Sequence, residues 1–222
     1  MQTYQQGGTS DARYTRVAIT LHWAIAFFII LNLSTGFFLD RLPPPVTLLH
    51  ISSGITVLAL TALRVVWRLT HPRPSYPAEY SPWERRLADI VHFCLYAFMI
   101  GMPLTGWALI SANPPLDSPG AAVDAQQLAR IGQHSHAGGN PPIWLLIPLP
   151  YIAPIHEMGR DPAGLPAQRV AHDRFDTVHK LGAFSLLTLL LLHLSGALKH
   201  QFVDKQRELA RMGIGRRRPQ FR

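Results

Sequence analysis

The chain has 222 residues, 48% of them hydrophobic and only 15% charged, with 21 Lys and Arg against 13 Asp and Glu for a formal net charge of +8. That hydrophobicity excludes a disordered chain, and a single cysteine, Cys94, excludes a disulfide-stapled domain. An apolar yet basic chain is either a nucleic-acid binder or an integral membrane protein whose cations collect on one side of the bilayer.

The placement of the charges decides between these. Four long apolar stretches carry none: 17–39, 42–63 (apolar from about 46), 90–116 (apolar to about 110) and 181–198. A helix crossing the hydrocarbon needs about 20 mostly apolar residues. Allowing for polar ends, the sequence predicts spans over about 17–39, 46–69, 87–110 and 178–200. The first is too long for a signal-peptide core and lacks a small-residue cleavage site, so it reads as a retained helix. Residues 40–45, with Pro43, Pro44 and Pro45, read as a tight outer turn. Residues 70–86 read as an inner loop. Residues 111–177 are rich in Pro and Gly and read as a long, irregular outer loop, a length that is usually functional. Within it, 143–155 is apolar but short and carries Pro148, Pro150 and Pro154, so it reads as an interfacial or packed loop segment. Residues 201–222 form a basic tail. The expectation is one domain over 1–222: an all-α integral-membrane four-helix bundle with a long outer loop between helices 3 and 4.

With the N-terminus inside, 15 of the 21 Lys and Arg fall on the inner side and 6 on the outer. The rule that cations stay inside then puts both termini in the cytoplasm. It accounts for the positive charge without nucleic acid.

The histidines carry the chemistry. His22, His50, His92, His179 and His193 fall in or at the ends of the spans, where ionisable residues are costly and usually functional. His179 and His193 are 14 residues apart, which puts them on nearly the same helix face, about 21 Å apart along the axis. The topology then sorts four histidines by depth, His22 with His193 on the inner side and His50 with His179 on the outer. Two imidazoles from facing helices at one depth can hold a six-coordinate haem iron between helices of a bundle. One cysteine rules out Cys-x-x-Cys-His attachment, so such a haem is b-type. Structural zinc is disfavoured, because it wants about four ligands around one ion. Any one of these histidines alone reads equally as a packing residue bonded to a neighbouring helix. His92 has no depth-matched partner and reads either as a structural contact or as the lining of an inner quinone pocket. Met99, Met102 and Trp107 read as packing or belt residues.

The motifs form an ordered set. Tyr14-Thr15-Arg16 leads to Leu21-His22-Trp23, and His50-Ile51-Ser52-Ser53-Gly54-Ile55 follows. Arg64 and Arg68 lie in Leu-Arg-Val-Val-Trp-Arg-Leu, with His71-Pro72 after them. Helix 3 holds His92-Phe93-Cys94-Leu95-Tyr96 and Met102-Pro103-Leu104-Thr105-Gly106-Trp107. Helix 4 holds His179 and His193, then Ala197-Leu198-Lys199-His200. With these motifs the chain resembles the bacterial cytochrome b561 family, the four-helix di-haem group that includes superoxide oxidase, over about 14–74, 89–111 and 176–202. The resemblance implies two haem b groups, His22 and His193 on the inner iron and His50 and His179 on the outer. It also implies electron exchange with membrane quinone in a bacterial inner membrane. The 111–177 segment is longer than in short members.

Arg16, Arg64 and Arg68 are inner-side candidates to compensate haem propionates, and equally are topology signals. Lys180 is an outer candidate on the same terms. In the outer loop, His134-x-His136 could chelate a metal but reads better as solvated loop. Arg130, Arg160, Arg169 and Arg174 could attract an anion such as superoxide, a reading weakened by Asp161, Asp173 and Asp176. Three functions follow. The first is an oxidoreductase passing electrons between an outer donor (superoxide or another periplasmic redox partner) and quinone. The second is a haem b anchor subunit of a larger enzyme such as a hydrogenase or dehydrogenase. The third is a haem-free metal transporter.

Overall fold

A computed structural model describes residues 14–71, 76, 80–130, 140–206 and 208–215. Four long apolar helices dominate it: α1 (Arg16–Gly36), α2 (Pro44–Thr70), α3 (Pro82–Ser111) and, after α4 (Pro119–Arg130), a short hairpin and the one-turn α5 (Ala153–His156), α6 (Leu165–Leu198). All four are long and apolar enough to cross a membrane.

Local chemistry sets the boundaries. Thr15 caps α1, its Oγ1 accepting from the Ala18 amide at 3.2 Å. The helix ends at Gly36, three residues before the predicted end, and a 3-10 turn at Leu39–Arg41 follows. The three prolines are not a separate turn. Pro44 and Pro45 open α2, because a first turn needs no amide donor there. α3 begins five residues earlier than predicted, since Ser81 and Glu84 form a capping box with Pro82 at the first helical position.

The largest correction concerns the segment 111–177. It is not irregular throughout: its last thirteen residues continue α6 outward, and 119–130 are helical. α4, α5 and the outer turns of α6 pack as a cap. Gly120 lies so close to the Gly159 carbonyl that a Cβ would sit 1.8 Å from it. Gln168 is buried there, its Nε2 donating to the Ile155 and His156 carbonyls at 3.0 and 3.1 Å. The fold is also not purely α. Residues Pro142–Ile143 (β1) and Ile147–Pro148 (β2) pair antiparallel, across a turn with positive φ at Trp144 (50°) and Leu145 (61°). The Trp144 amide donates to Ser52 Oγ at 2.9 Å and its indole Nε1 to Thr56 Oγ1 at 3.0 Å. The segment read as interfacial or packed is thus packed against α2.

The bundle interior is apolar: Ile25 and Ile29 of α1, Val57 of α2, Val91, Leu95 and Met99 of α3, and Leu186 of α6 are buried together. The exterior is apolar as well, with Phe27, Val66, Leu69, Phe93, Leu181 and Phe184 exposed. A chain apolar inside and out on four long helices suits lipid, in which the backbone must satisfy itself and small hydroxyls join helices. Asn32 Nδ2 donates to Ser53 Oγ at 2.9 Å, and Trp67 Nε1 to Thr15 Oγ1 at 2.9 Å, fixing α1 antiparallel to α2. At the other end of α6 a π-helical turn, Lys199–Val203, leads to α7 (Glu208–Arg211). The tail folds back there, and Trp23 Nε1 donates to the Met212 carbonyl at 3.0 Å.

Candidate functional site: two histidine pairs

The four predicted histidines meet in the predicted pairs. His22 of α1 and His193 of α6 have ring centroids 6.2 Å apart, with the planes inclined by 69°. His50 of α2 and His179 of α6 are 6.3 Å apart, inclined by 74°. All four are half-buried. Two pairs built 14 residues apart on one helix match each other to within 0.1 Å.

The distance has a physical meaning. With a metal–imidazole bond of about 2.0 Å and a ring radius of about 1.1 Å, two imidazoles that shared one ion would have ring centres up to about 6.2 Å apart. Direct stacking would need less. His92 supplies the contrast: its ring lies 5.1 Å from that of His193, nearly perpendicular, with Nδ1 2.6 Å from the Ala88 carbonyl. That separation differs from the one shared by the other two pairs. His92 therefore stands beside the inner pair rather than completing it.

The outer rings are held by their own hardware. Thr35 Oγ1 lies 3.1 Å from His50 Nδ1, and Thr105 Oγ1 lies 3.0 Å from His179 Nδ1. In each case the following residue is glycine. A Cβ on Gly36 would sit 2.9 Å from His50 Cε1, and one on Gly106 would sit 3.1 Å from His179 Cε1. Sequence reasoning missed both Thr-Gly dipeptides as site elements. The repeated dipeptide on two helices was the available signal, but nothing along the chain says that either faces a histidine.

The candidate arginines separate. Arg64 Nε donates to Tyr96 Oη at 2.9 Å and its NH1 to the Ala18 carbonyl at 2.8 Å, joining α1, α2 and α3 at the end of the bundle that holds His22. The Arg68 guanidinium lies over the Tyr14 ring, 5.7 Å from its centroid. Arg16 is exposed at the start of α1. Lys180 pairs with Asp176 at 2.8 Å. Among the outer arginines, Arg160 pairs with Glu157 and Arg169 with Asp124. Glu157 and Asp124 thus add to the acidic neighbours that weaken these arginines as an anion attractor. The Arg160 bond holds the Glu157 carboxyl below the usual glutamate range. His134 and His136 lie outside the described residues. Glu84, His200 and Asp204 bring three possible metal ligands together where α6 ends and α3 begins. The Lys199 ammonium already bonds both carboxylates, at 2.7 and 2.9 Å, so the cluster reads as an ion-pair network.

Residues 13–215 match the family described as prokaryotic cytochrome b561. The chain belongs to that family. Among curated relatives, it is 24% identical over 207 residues to "Cytochrome b561 homolog 2" of Escherichia coli K12, covering 90% of each chain. It is 28% identical over 102 residues to "Probable superoxide oxidase CybB" of Yersinia pestis, a match covering 44% of this chain and 58% of that one. This protein is therefore a membrane electron-transfer protein and oxidoreductase of the cytochrome b561 family, for which the family implies haem b.

The residues present suit that group. The spacing of the two imidazole pairs would let each hold one iron of that group, and His50 and His179 have space cleared beside them by glycine.

Proposed function

We propose that this protein is a transmembrane di-haem b oxidoreductase of a bacterial inner membrane that takes electrons from an outer donor of the superoxide type and delivers them to membrane quinone. The observation that carries the reading is the pair of histidine separations, 6.2 and 6.3 Å, at two levels of α6. In it, His22 and His193 hold the inner haem, and His50 and His179 the outer. Haem b bound between each pair supplies a one-electron ferric/ferrous couple.

The chain's own residues do the rest. α6 sets the two sites about 21 Å apart along its axis, 14 residues at 1.5 Å each, so that together they span most of the hydrocarbon thickness. Interior side chains such as Ile25, Val57, Leu95 and Leu186 keep water out between them. Arg64 is anchored to Tyr96 and Ala18 at the inner end, and with Arg16 and Arg68 supplies positive charge where propionates would need it. Oxidation of two superoxide anions to dioxygen releases two electrons, which with two protons from the medium reduce one quinone to quinol. The excess of inner Lys and Arg supports cytoplasmic termini.

The test is a pyridine haemochrome count on the purified full-length protein and on His→Ala variants. Two haems per chain are expected, with one lost in H22A or H193A and the other in H50A or H179A. His92→Ala should keep both. Under an anaerobic superoxide flux with quinone present, the haems should reduce and quinol should accumulate. Haems that stay oxidised under superoxide but are reduced by quinol would remove the outer donor from this scheme.

A further inference from the structure

The hydroxyl protons at the outer pair can be assigned. Thr35 Oγ1 sits 2.8 Å from the Leu31 carbonyl and 3.2 Å from that of Asn32. Thr105 Oγ1 sits 2.9 Å from the Met102 carbonyl. A threonine hydroxyl has one proton, and a carbonyl can only accept. Each hydroxyl therefore donates back to its own helix and offers the histidine nothing but a lone pair. The contacts at 3.1 and 3.0 Å then place the proton on His50 Nδ1 and His179 Nδ1, where the Asn32 and Met102 carbonyls stand as second acceptors beside the threonine oxygens. In a neutral imidazole this leaves the lone pair on Nε2.

Both threonines come from helices other than the ones carrying the histidines. α1 serves His50 of α2, and α3 serves His179 of α6. The glycine after each threonine clears the ring's Cε1 edge, and the hydroxyl holds its Nδ1. The same two-residue device thus meets both imidazoles of one pair. The inner pair is bordered differently, with the His92 ring against His193.

We propose that Thr35-Gly36 and Thr105-Gly106 are matched positioning elements that fix the tautomer and orientation of His50 and His179 and so tune the outer haem separately from the inner one. This rests on the di-haem reading. An acceptor on Nδ1–H makes a ligating imidazole a stronger donor through Nε2. A stronger donor favours ferric over ferrous iron. The two threonines therefore hold the outer potential down, and removing either acceptor should raise it.

The experiment uses full-length haem-loaded protein with T35V, T105V, T35S and T105S, read by optical redox titration and by low-spin EPR. Each valine variant should raise the midpoint of one haem only, the one missing from H50A, and shift that haem's EPR signal. The other haem should titrate as in the wild type. Serine keeps the hydroxyl and should restore both readouts. If a valine variant loses the outer haem outright, a drop in affinity of about 10- to 100-fold being usual for such partners, serine must restore binding. The proposal is overturned if the valine variants titrate as wild type, if the shift falls on the haem lost in H22A, or if serine fails to rescue. If H50A and H179A themselves retain both haems, the ligand assignment has failed instead.

Discussion

The steric half of the outer site makes a sharp prediction at Gly36. A methyl group there would lie 2.9 Å from His50 Cε1, whereas carbon atoms pack at about 3.5–4.0 Å. The shortfall is about 0.6–1.1 Å. The ring cannot swing freely, because Thr35 holds its Nδ1 at 3.1 Å and the partner ring of His179 faces it. Over-packing of this kind costs about 1–3 kcal/mol. If that falls on the ligated state, affinity for the outer haem drops by about 5- to 150-fold. Gly106→Ala, with 3.1 Å to His179 Cε1, should behave the same way but more mildly. Gly101 and Gly196 are the controls, because a Cβ at either meets nothing within 4 Å. Alanine there should leave haem content intact and raise helix stability by up to about 1 kcal/mol. The assay is haem content per chain after mild detergent washing, with thermal unfolding followed at the haem band. G36A protein that keeps both haems and melts with G101A would refute the steric argument.

Other outcomes follow from the same geometry. Arg64→Met removes two charged hydrogen bonds joining three helices; each is worth about 1.5–3 kcal/mol, so the melting temperature should fall well below that of Tyr96→Phe, which removes one. Ser52→Ala takes the acceptor from the Trp144 amide at a cost of about 1–3 kcal/mol, and hydrogen exchange over 142–148 should accelerate while the helices stay protected. For pH, the Glu157 carboxyl is held below its usual range by Arg160. Its folded value lies under its unfolded one, so the contribution is fully present above about pH 4.3, the unfolded value. It is lost as pH falls further. Protection factors in 157–164, corrected for intrinsic exchange, should therefore be flat from pH 7 to 5 and fall only in stronger acid, and Glu157→Gln should abolish that acid limb.

The chain's own sequence determined a great deal here, because a membrane span is a local property: uncharged length against hydrocarbon thickness. The four helices, the pairing of His22 with His193 and of His50 with His179, and the asymmetry of charge all follow from spacing, topology and counting. Helix ends were less legible. Prolines that read as breakers at 43–45 open α2, and the polar residues 165–177 continue α6, since outside the bilayer an amphipathic surface helix needs no apolar run. Only the tertiary structure decided what surrounds the histidines. Whether Thr35 faces His50, whether Gly106 makes room for His179, and whether His92 stands at 5.1 Å rather than at ligand distance from His193 depend on how each helix is rotated against a neighbour. That rotation is set by packing between residues distant in the chain, such as Ile25, Val57, Leu95 and Leu186. No period within one helix records it.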